Sequence, residues 1–455
     1  MNLKALFKPK TLAVIGVSLT NDRHPANVIY NKNSLRFQAE VFPINDRGGT
    51  LQGEPVYARI SDTPQKVDLA VIAVRAERVP DIMAECIDAG VGGAVVISGG
   101  FAEIGRTDLQ DHMVTLAKEA GFPFIGPNCL GIYSPPHMDT FFLPSERMVR
   151  PEMGRVALVS QSGGALVDQM TKFANEGIGL SLAVSIGNKA LIRELDLLRH
   201  FAHDATTEVI AFYVEGFEKN EGREFVQAAT RCPKPVIVLK AGKTPGGVRA
   251  VSSHTASMAG DYEVFSAVLS QHGVVEARNE FELVSFCEAL SCYHRSIEGK
   301  IGIISVSGGH GVLAVDACLS HGLSVPTLSE QHQAKIKEQV SPRVRAIASF
   351  SNPIDLTGSA VDDDFIAAAK FLSSRQEVDC VLILLLPYTP GITSDLAARL
   401  SQIYRQEAKP LIAYVPHVEK YRIFIEGFEF NRIPVAHSIE GAVHMAEAMR
   451  RCKPC

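Results

Sequence analysis

Five short runs in the first third of the chain constrain the fold most: 11–17 (TLAVIGV), 39–45 (AEVFPIN), 68–74 (DLAVIAV), 93–97 (GAVVI) and 123–126. They are almost continuously apolar and rich in Val and Ile. A strand with one wet face alternates apolar and polar residues, whereas a parallel strand covered on both faces does not. Between the third and fourth runs, Val79, Ile82, Met83, Cys86 and Ile87 recur at helical spacing. Strand–helix alternation predicts an α/β, doubly wound parallel sheet whose ligand crevice lies beyond the carboxyl ends of its strands.

The residues at those ends include Gly16, Ser18, Asn45, Arg47, Arg75, Ser98 and Gly99. Glycine lets the backbone approach a phosphate, and a helix N-terminus favours its charge. The turn after the first strand reads GVSLTND, a poor match to GxGxxG, and no acidic residue closes the second strand where an NAD ribose would need one. Asn45-Asp46-Arg47 stands there instead, which favours another phosphorylated nucleotide, with coenzyme A a good candidate. The candidate set for it is Gly16, Ser18, Pro43, Asn45, Val74 and Ser98. A nucleotide fold whose loops bind nothing is the alternative.

The pattern resumes at 155–160 (RVALVS), followed by Gln161-Ser162-Gly163-Gly164 and a helix carrying Leu166, Val167, Met170 and Phe173. Ser162, Gly163 and Gly164 form a candidate phosphate site, because free N–H groups and a helix dipole point at one spot. Strands at 180–185, 209–214 and 235–240 then end in Ile186-Gly187-Asn188, Glu215-Gly216 and a long Gly/Ser/Thr-rich stretch, 241–260 (AGKTPGGVRAVSSHTASMAG). All four ends are expected on one rim, which makes Asn188 a further phosphate candidate. Long loops without secondary structure inside compact domains are usually functional or disordered, and this one carries His254. Glu215 either caps the helix that follows it or hydrogen-bonds one ring nitrogen of His254. The second role fixes the tautomer and raises the nucleophilicity of the other nitrogen, as phosphohistidine formation requires.

With 455 residues, about three domains are expected. A net charge of −5 argues against nucleic acid and anionic membranes. No secretion signal and no run approaching the ~18 apolar residues of a membrane span is seen, so a cytoplasmic protein is expected. The nine cysteines and the histidines show no metal-site spacing, and Cys452-Lys-Pro-Cys455 reads as a solvated tail.

Taken together, AVIGVS, VDLAVIAV, AVVISGGFAEIG, IGPNCLGI, VALVSQSGGALVDQM, SIGNKA, YVEGFE, PVIVLKAGKTPGG and SSHTASMAG resemble the ADP-forming acyl-CoA synthetases of the succinate–CoA ligase superfamily. The SHT-x-S-x-A-G context is the specific one, and the resemblance makes His254 the phospho-acceptor and Glu215 its supporting carboxylate. It also places Asn128 and Cys129, in GPNCLG, near the thiol end of CoA. Asp196, beyond SIGNKA, is a further carry-over. The segment from 299 onward, with Ile-Gly-Ile-Ile-Ser-Val-Ser-Gly-Gly at 301–309 and SNPIDLTG at 351–358, resembles the family's last, flavodoxin-like subdomain. The implied organisation is a Rossmann-like CoA-binding domain at 1–135, a ligase domain with the phosphohistidine loop at 150–295, and a second flavodoxin-like ligase domain at 299–455. His310 departs from the small residue or proline expected in that glycine loop, a surface variation or a phosphate or subunit contact.

The family also needs an ATP-grasp module, which this sequence does not resemble anywhere. The expected partner is therefore a separate β-type ATP-grasp subunit carrying ADP/ATP and Mg, in an α2β2 hetero-oligomer, with coenzyme A, phosphate and a small carboxylic acid as the other reactants. A CoA-binding regulatory or scaffolding protein without turnover is the alternative from another class, and a nicotinamide-dependent oxidoreductase the weaker third.

Overall fold

A computed structural model describes residues 2–218, 220–254 and 261–452, without the side chains of 252–254. The chain divides into two compact units, Met1–Glu276 and Ala277–Cys455.

The first unit holds two large sheets and a small antiparallel pair, Gly49–Leu51 with Glu54–Val56. β1 (Thr11–Ile15), β2 (Glu40–Ile44), β3 (Leu69–Ile72), β4 (Ala94–Val96) and β5 (Phe124–Ile125) are all parallel, in the order β2-β1-β3-β4-β5. Every residue of β1 and β3 is buried, as their unbroken apolar composition requires. Register pairs Ile15 with both Ile44 and Ile72, so three strands end level and their following loops share one rim. Gly16 sits at that rim with φ +100°, and a Cβ there would lie 2.4 Å from the Ala73 carbonyl oxygen. The chain must turn away from β1 against a neighbouring strand, and only glycine does so without a clash.

A hairpin of β6 (Gly131–Ser134) and β7 (Met138–Asp139) leads into the second sheet, where β6 pairs antiparallel with β9. Its remaining strands are β8 (Met153–Ser160), β9 (Leu180–Ser185), β10 (Val209–Val214), β11 (Val236–Lys240) and β12 (Val275–Ala277), in the order β9-β8-β10-β11-β12. Ser160 pairs with Ser185 on one side and Tyr213 on the other, and Tyr213 pairs with Leu239. The four expected strand ends therefore do lie on one rim. Strand order reverses at β8, where ligand crevices of open sheets form.

In the second unit β13 (Ile301–Ser305), β14 (Ile354–Asp355), β15 (Cys380–Leu384), β16 (Leu411–Tyr414) and β17 (Val435–Ala436) are parallel, in the order β14-β13-β15-β16-β17. The flavodoxin-like order 2-1-3-4-5 thus recurs in the three large sheets. A helix at Glu280–Cys292 buries Leu283, Phe286, Cys287 and Leu290, and the Tyr293 hydroxyl donates to the Leu411 carbonyl at 2.7 Å. Residues 280–293 consequently pack within this unit.

Two expectations change. Within 241–260, residues Pro245–His254 form a helix rather than a loop. Thr244 starts it: its hydroxyl accepts from the Gly247 amide at 3.1 Å, its carbonyl accepts from Val248 at 2.8 Å, and Pro245 supplies a preset first turn. Cys452 is buried at the end of the last helix, not solvated, while 453–455 lie outside the described residues. No helix among the described residues is long and apolar enough to cross a membrane.

Candidate functional site

On the first sheet, two adjoining clefts open on either side of Gly16. One, of about 640 Å³, is lined by Gly16, His24, Val74, Arg75, Arg78 and Ser98; the other, of about 770 Å³, by Gly16, Asn45, Ser61, Val74 and Arg78 among others. Both fall in the size range of cofactor pockets. In the first, Val74, Ile97 and Phe142 stand with Arg75 and Arg78, which suits a ligand that joins apolar groups to phosphates; the second also carries Arg59 and the carboxylates Asp46, Asp81, Glu85 and Asp88. Of the expected CoA residues, Gly16, Asn45, Val74 and Ser98 line these clefts. Ser18 stands beside Gly16, clamped by Asn27, which accepts from its amide at 2.7 Å and donates to its carbonyl at 2.8 Å. The Asn45 side chain is spent on its own loop, donating to the Val17 carbonyl at 2.6 Å and accepting from the Arg47 amide at 2.9 Å.

Pro43 and Cys129 are not brought to the clefts. Pro43 is buried within β2, its carbonyl accepting from the Tyr57 amide. The Cys129 thiol donates to the Val96 carbonyl at 3.3 Å, and burial pushes its pKa up to about 12. It is a core group, because a thiolate there would be stripped of water.

The loop that carries Cys129 nevertheless matters, because it joins the two sheets. The Asn128 amide donates to the Ser98 carbonyl at 2.8 Å, and its side chain donates to the Asn188 carboxamide at 3.2 Å. Asn188 in turn donates to Glu103 at 2.5 Å and Gln110 at 3.1 Å. Its side chain is therefore committed to the first sheet's loops, away from the phosphate role expected for it. Gly187, φ +55°, lets this contact form: a Cβ would lie 2.3 Å from the Pro127 carbonyl oxygen.

The phosphate candidates gather at the end of β8. Ser162 caps the helix Gly163–Asn175, accepting from the Ala165 amide at 3.3 Å. Gly163 and Gly164 occupy its first two positions, whose amides have no partner within a helix. A Cβ on Gly163 would approach Leu130 at 3.3 Å, while Gly164 has open space around it. An anion can thus reach these amides beside the loop that is hydrogen-bonded to Ser98 on the first sheet.

Glu215 is buried on the adjoining strand end. Gln161 ties it to the phosphate site: its side-chain oxygen accepts from the Glu215 amide at 2.6 Å and the Gly216 amide at 3.1 Å. Its side-chain nitrogen donates to the Gly216 carbonyl at 2.7 Å and to Glu194. Lys189 donates to the same Gly216 carbonyl at 2.6 Å and pairs with Glu194 at 3.1 Å. On the other side, Lys240 donates to the Glu215 carbonyl at 2.7 Å. Burial pushes the Lys240 ammonium below its ordinary pKa, while the Glu215 charge pulls it back up. The helix after Glu215 begins at Glu221, with Asn220 at its N-cap making no side-chain cap bond; the Glu221 carboxylate accepts from the Glu218 amide at 3.1 Å in the turn before it.

His254 is the last residue of its helix, and its side chain lies outside the described residues, as does any contact with Glu215. Asp196 accepts from the Arg193 amide at 3.1 Å and serves the start of helix Glu194–His203. Gln161, Lys189 and Glu194 are the supporting residues that sequence reasoning missed. Two of them stood inside SQSGG and SIGNKA, but nothing in their spacing shows that they meet.

Comparison with known proteins identifies the domains that carry these residues. Residues 10–135 match a CoA binding domain, and 153–290 match a succinyl-CoA ligase like flavodoxin domain. The chain is 38% identical over 85% of its length to the acetate–CoA ligase [ADP-forming] I of Archaeoglobus fulgidus, and spans about half of that relative, 55%. It is 32% identical over 99% of its length to the acetate–CoA ligase [ADP-forming] I subunit alpha of Pyrococcus furiosus, covering 97% of it. A solved acetyl-coenzyme A synthetase 1 of Candidatus Korarchaeum cryptofilum, described in complex with phosphate and ADP, superposes with a TM-score of 0.87 at 32% identity, over 99% of this chain and 96% of that one. With the α/β domains, the CoA-binding match and full-length similarity at this level, the chain belongs to the family of ADP-forming acyl-CoA synthetases.

Proposed function

We propose that this chain is the CoA-binding, phosphohistidine-forming subunit of an acyl-CoA synthetase, interconverting acyl-CoA, phosphate and ADP with carboxylic acid, CoA and ATP. The observation that supports it most directly is Gln161. It connects β8 to the Gly163–Gly164 helix start and holds the backbone of Glu215 and Gly216. An anion site and a buried carboxylate are thereby built on one rim with shared support.

In this reading phosphate bound at the Gly163 and Gly164 amides attacks the thioester carbonyl; the C–S bond breaks and an acyl phosphate forms. Neutral His254 then attacks phosphorus, an N–P bond forming as the P–O bond to the acyl group breaks and the carboxylate leaves. Glu215 offsets the positive charge that develops on the imidazole. As in other phosphoryl transfers, the protein contributes mainly position and charge. The segment that carries His254 delivers the phosphoryl group to ADP, held with Mg on an ATP-grasp β-type subunit in an α2β2 assembly. Full-length similarity to a relative named as a subunit alpha supports a separate partner. Acetate, from the names of the relatives, is the first acyl group to try.

The test is phosphorylation of the purified chain by acetyl phosphate, or by acetyl-CoA plus phosphate, followed by intact mass and phosphorus NMR. An acid-labile adduct that disappears in His254→Ala while CoA still binds is the expected result. An adduct that survives the substitution overturns the nucleophile. Absence of any adduct, even with a co-expressed ATP-grasp subunit, overturns turnover and leaves a CoA-binding scaffold.

A further inference from the structure

A cluster in the second unit, away from β8 and its rim residues in sequence and in sheet, has chemistry that the acyl transfer reaction does not use. His321 follows the helix Gly308–Ser320, and His444 and Glu447 lie three residues apart on the C-terminal helix Ile439–Arg451, hence on one face of it. Both imidazoles turn Nδ1 toward the same carboxylate oxygen: His321 Nδ1 is 2.8 Å from Glu447 Oε2 and His444 Nδ1 is 3.5 Å from it. One ligand atom from each of the three residues lies within 4.8 Å of the others. The imidazoles cross nearly at right angles, 86°, with centroids 4.6 Å apart, so they converge without stacking.

The geometry points to a transition-metal site, with His321, His444 and Glu447 as ligands and Zn²⁺ as the ion it suits best. Two nitrogens and one oxygen are the borderline donors that zinc takes in three-ligand sites. A tetrahedral zinc with bonds of ~2.0–2.1 Å separates its ligand atoms by about 3.3 Å, and the two Nδ1–Oε2 distances fall on either side of that value. Each imidazole would bind as the neutral ring, keeping its proton on Nε2. Glu447 is also oriented from outside: Arg451 pairs with its other oxygen, Oε1, leaving Oε2 for the two histidines. Such a partner on the far side of a ligand is what holds ligands in register. The histidine side chains are 20% and 16% exposed against 2% for Glu447, so water reaches the fourth position from the histidine side. Arg450, whose guanidinium donates to the His321 carbonyl at 3.3 Å, and Arg451 place positive charge nearby and limit affinity. A bound ion would clip the C-terminal helix to the end of helix Gly308–Ser320.

The test is a Co²⁺ titration of the intact chain after chelator treatment and dialysis, read by visible absorption, with Zn²⁺ displacement and a thermal melt. Wild type should take up one equivalent with tetrahedral bands, lose them to Zn²⁺, and melt at higher temperature with the metal. His444→Gln and His321→Gln should each weaken binding by at least the ~10–100-fold that even outer ligand-orienting substitutions cost. Unchanged binding in the doubly substituted chain, or no uptake by folded wild type, overturns the site. X-ray absorption of the Zn²⁺-loaded wild type needs no variant: a nitrogen/oxygen shell is expected, and a sulfur-dominated shell from the cysteines overturns the assignment.

Discussion

The ion pair beneath the Glu215–Gly216 turn can be tested quantitatively. The side chain of Glu194 is 0% exposed and that of Lys189 is 6% exposed, with 3.1 Å between their charged atoms. Replacing Lys189 by Met leaves a buried carboxylate without its cation, with only Gln161 donating to it, and removes the 2.6 Å bond to the Gly216 carbonyl. Breaking one partner of a buried pair costs about 3–5 kcal/mol, whereas replacing both by apolar groups is often close to neutral. For a unit of this size 1 kcal/mol moves the melting midpoint by roughly 2–4 °C, so Lys189→Met should lower it by on the order of 10 °C. Lys189→Met combined with Glu194→Leu should recover most of the loss, leaving Gln161 to hold Gly216 alone. The assay is a double-mutant cycle by thermal and urea unfolding, with CoA binding and phosphoryl transfer measured alongside. Single substitutions that each cost less than about 1 kcal/mol and simply add would refute the reasoning, because neighbours in one network must couple.

Glu215→Gln should preserve folding and CoA affinity yet slow phosphoryl transfer to His254 by about 10²–10⁴-fold, as loss of a charge-stabilising partner does; equal rates in a single-turnover assay would remove Glu215 from the mechanism. Gly16→Ala places a Cβ 2.4 Å from the Ala73 carbonyl oxygen at φ +100° and should weaken CoA binding measured by calorimetry, with a lowered melting midpoint; unchanged affinity would show that the cleft lies elsewhere. At Asp204 burial pushes the carboxyl up, but the hydroxyls of Thr206 and Thr207 and the Lys8 ammonium outweigh it and bring the pKa down to about 2. Because this acid titrates lower in the folded chain than in the unfolded one, its contribution is complete above pH ~4 and is lost as pH falls toward ~2. Asp204→Asn should flatten that part of the acid-stability profile, and an unaltered profile would discount the pairing.

The sequence was most legible where composition alone sets the structure. Almost unbroken apolar runs must be buried on both faces, and β1 and β3 are. SQSGG announced a capped helix start, and Ser162 caps it. Other parts were less legible. TPGGV looked like loop because its glycines mask a Thr cap and a first-turn proline. Cys129 looked available because it stands next to a loop asparagine, yet adjacent residues on that turn face opposite ways, Asn128 toward Asn188 and Cys129 toward Val96.

The chain's own residues determined the three successive α/β sheets, the glycines at their carboxyl ends and the resemblance that names the chemistry. These are local properties: hydrophobic period, capping residues and the absence of a Cβ act within a few positions. Which side chains meet was decided only by the tertiary structure. Gln161, Lys189 and Glu194 converge beneath Gly216 because β8, β9 and β10 are neighbours in register, and Asn188 reaches Glu103 because the Gly126–Gly131 loop binds one sheet to the next. Lys189 and Glu194 are near in sequence, but Gln161, Gly216 and Glu103 lie tens of residues from their partners, and strand order, which sequence spacing does not encode, brings them together.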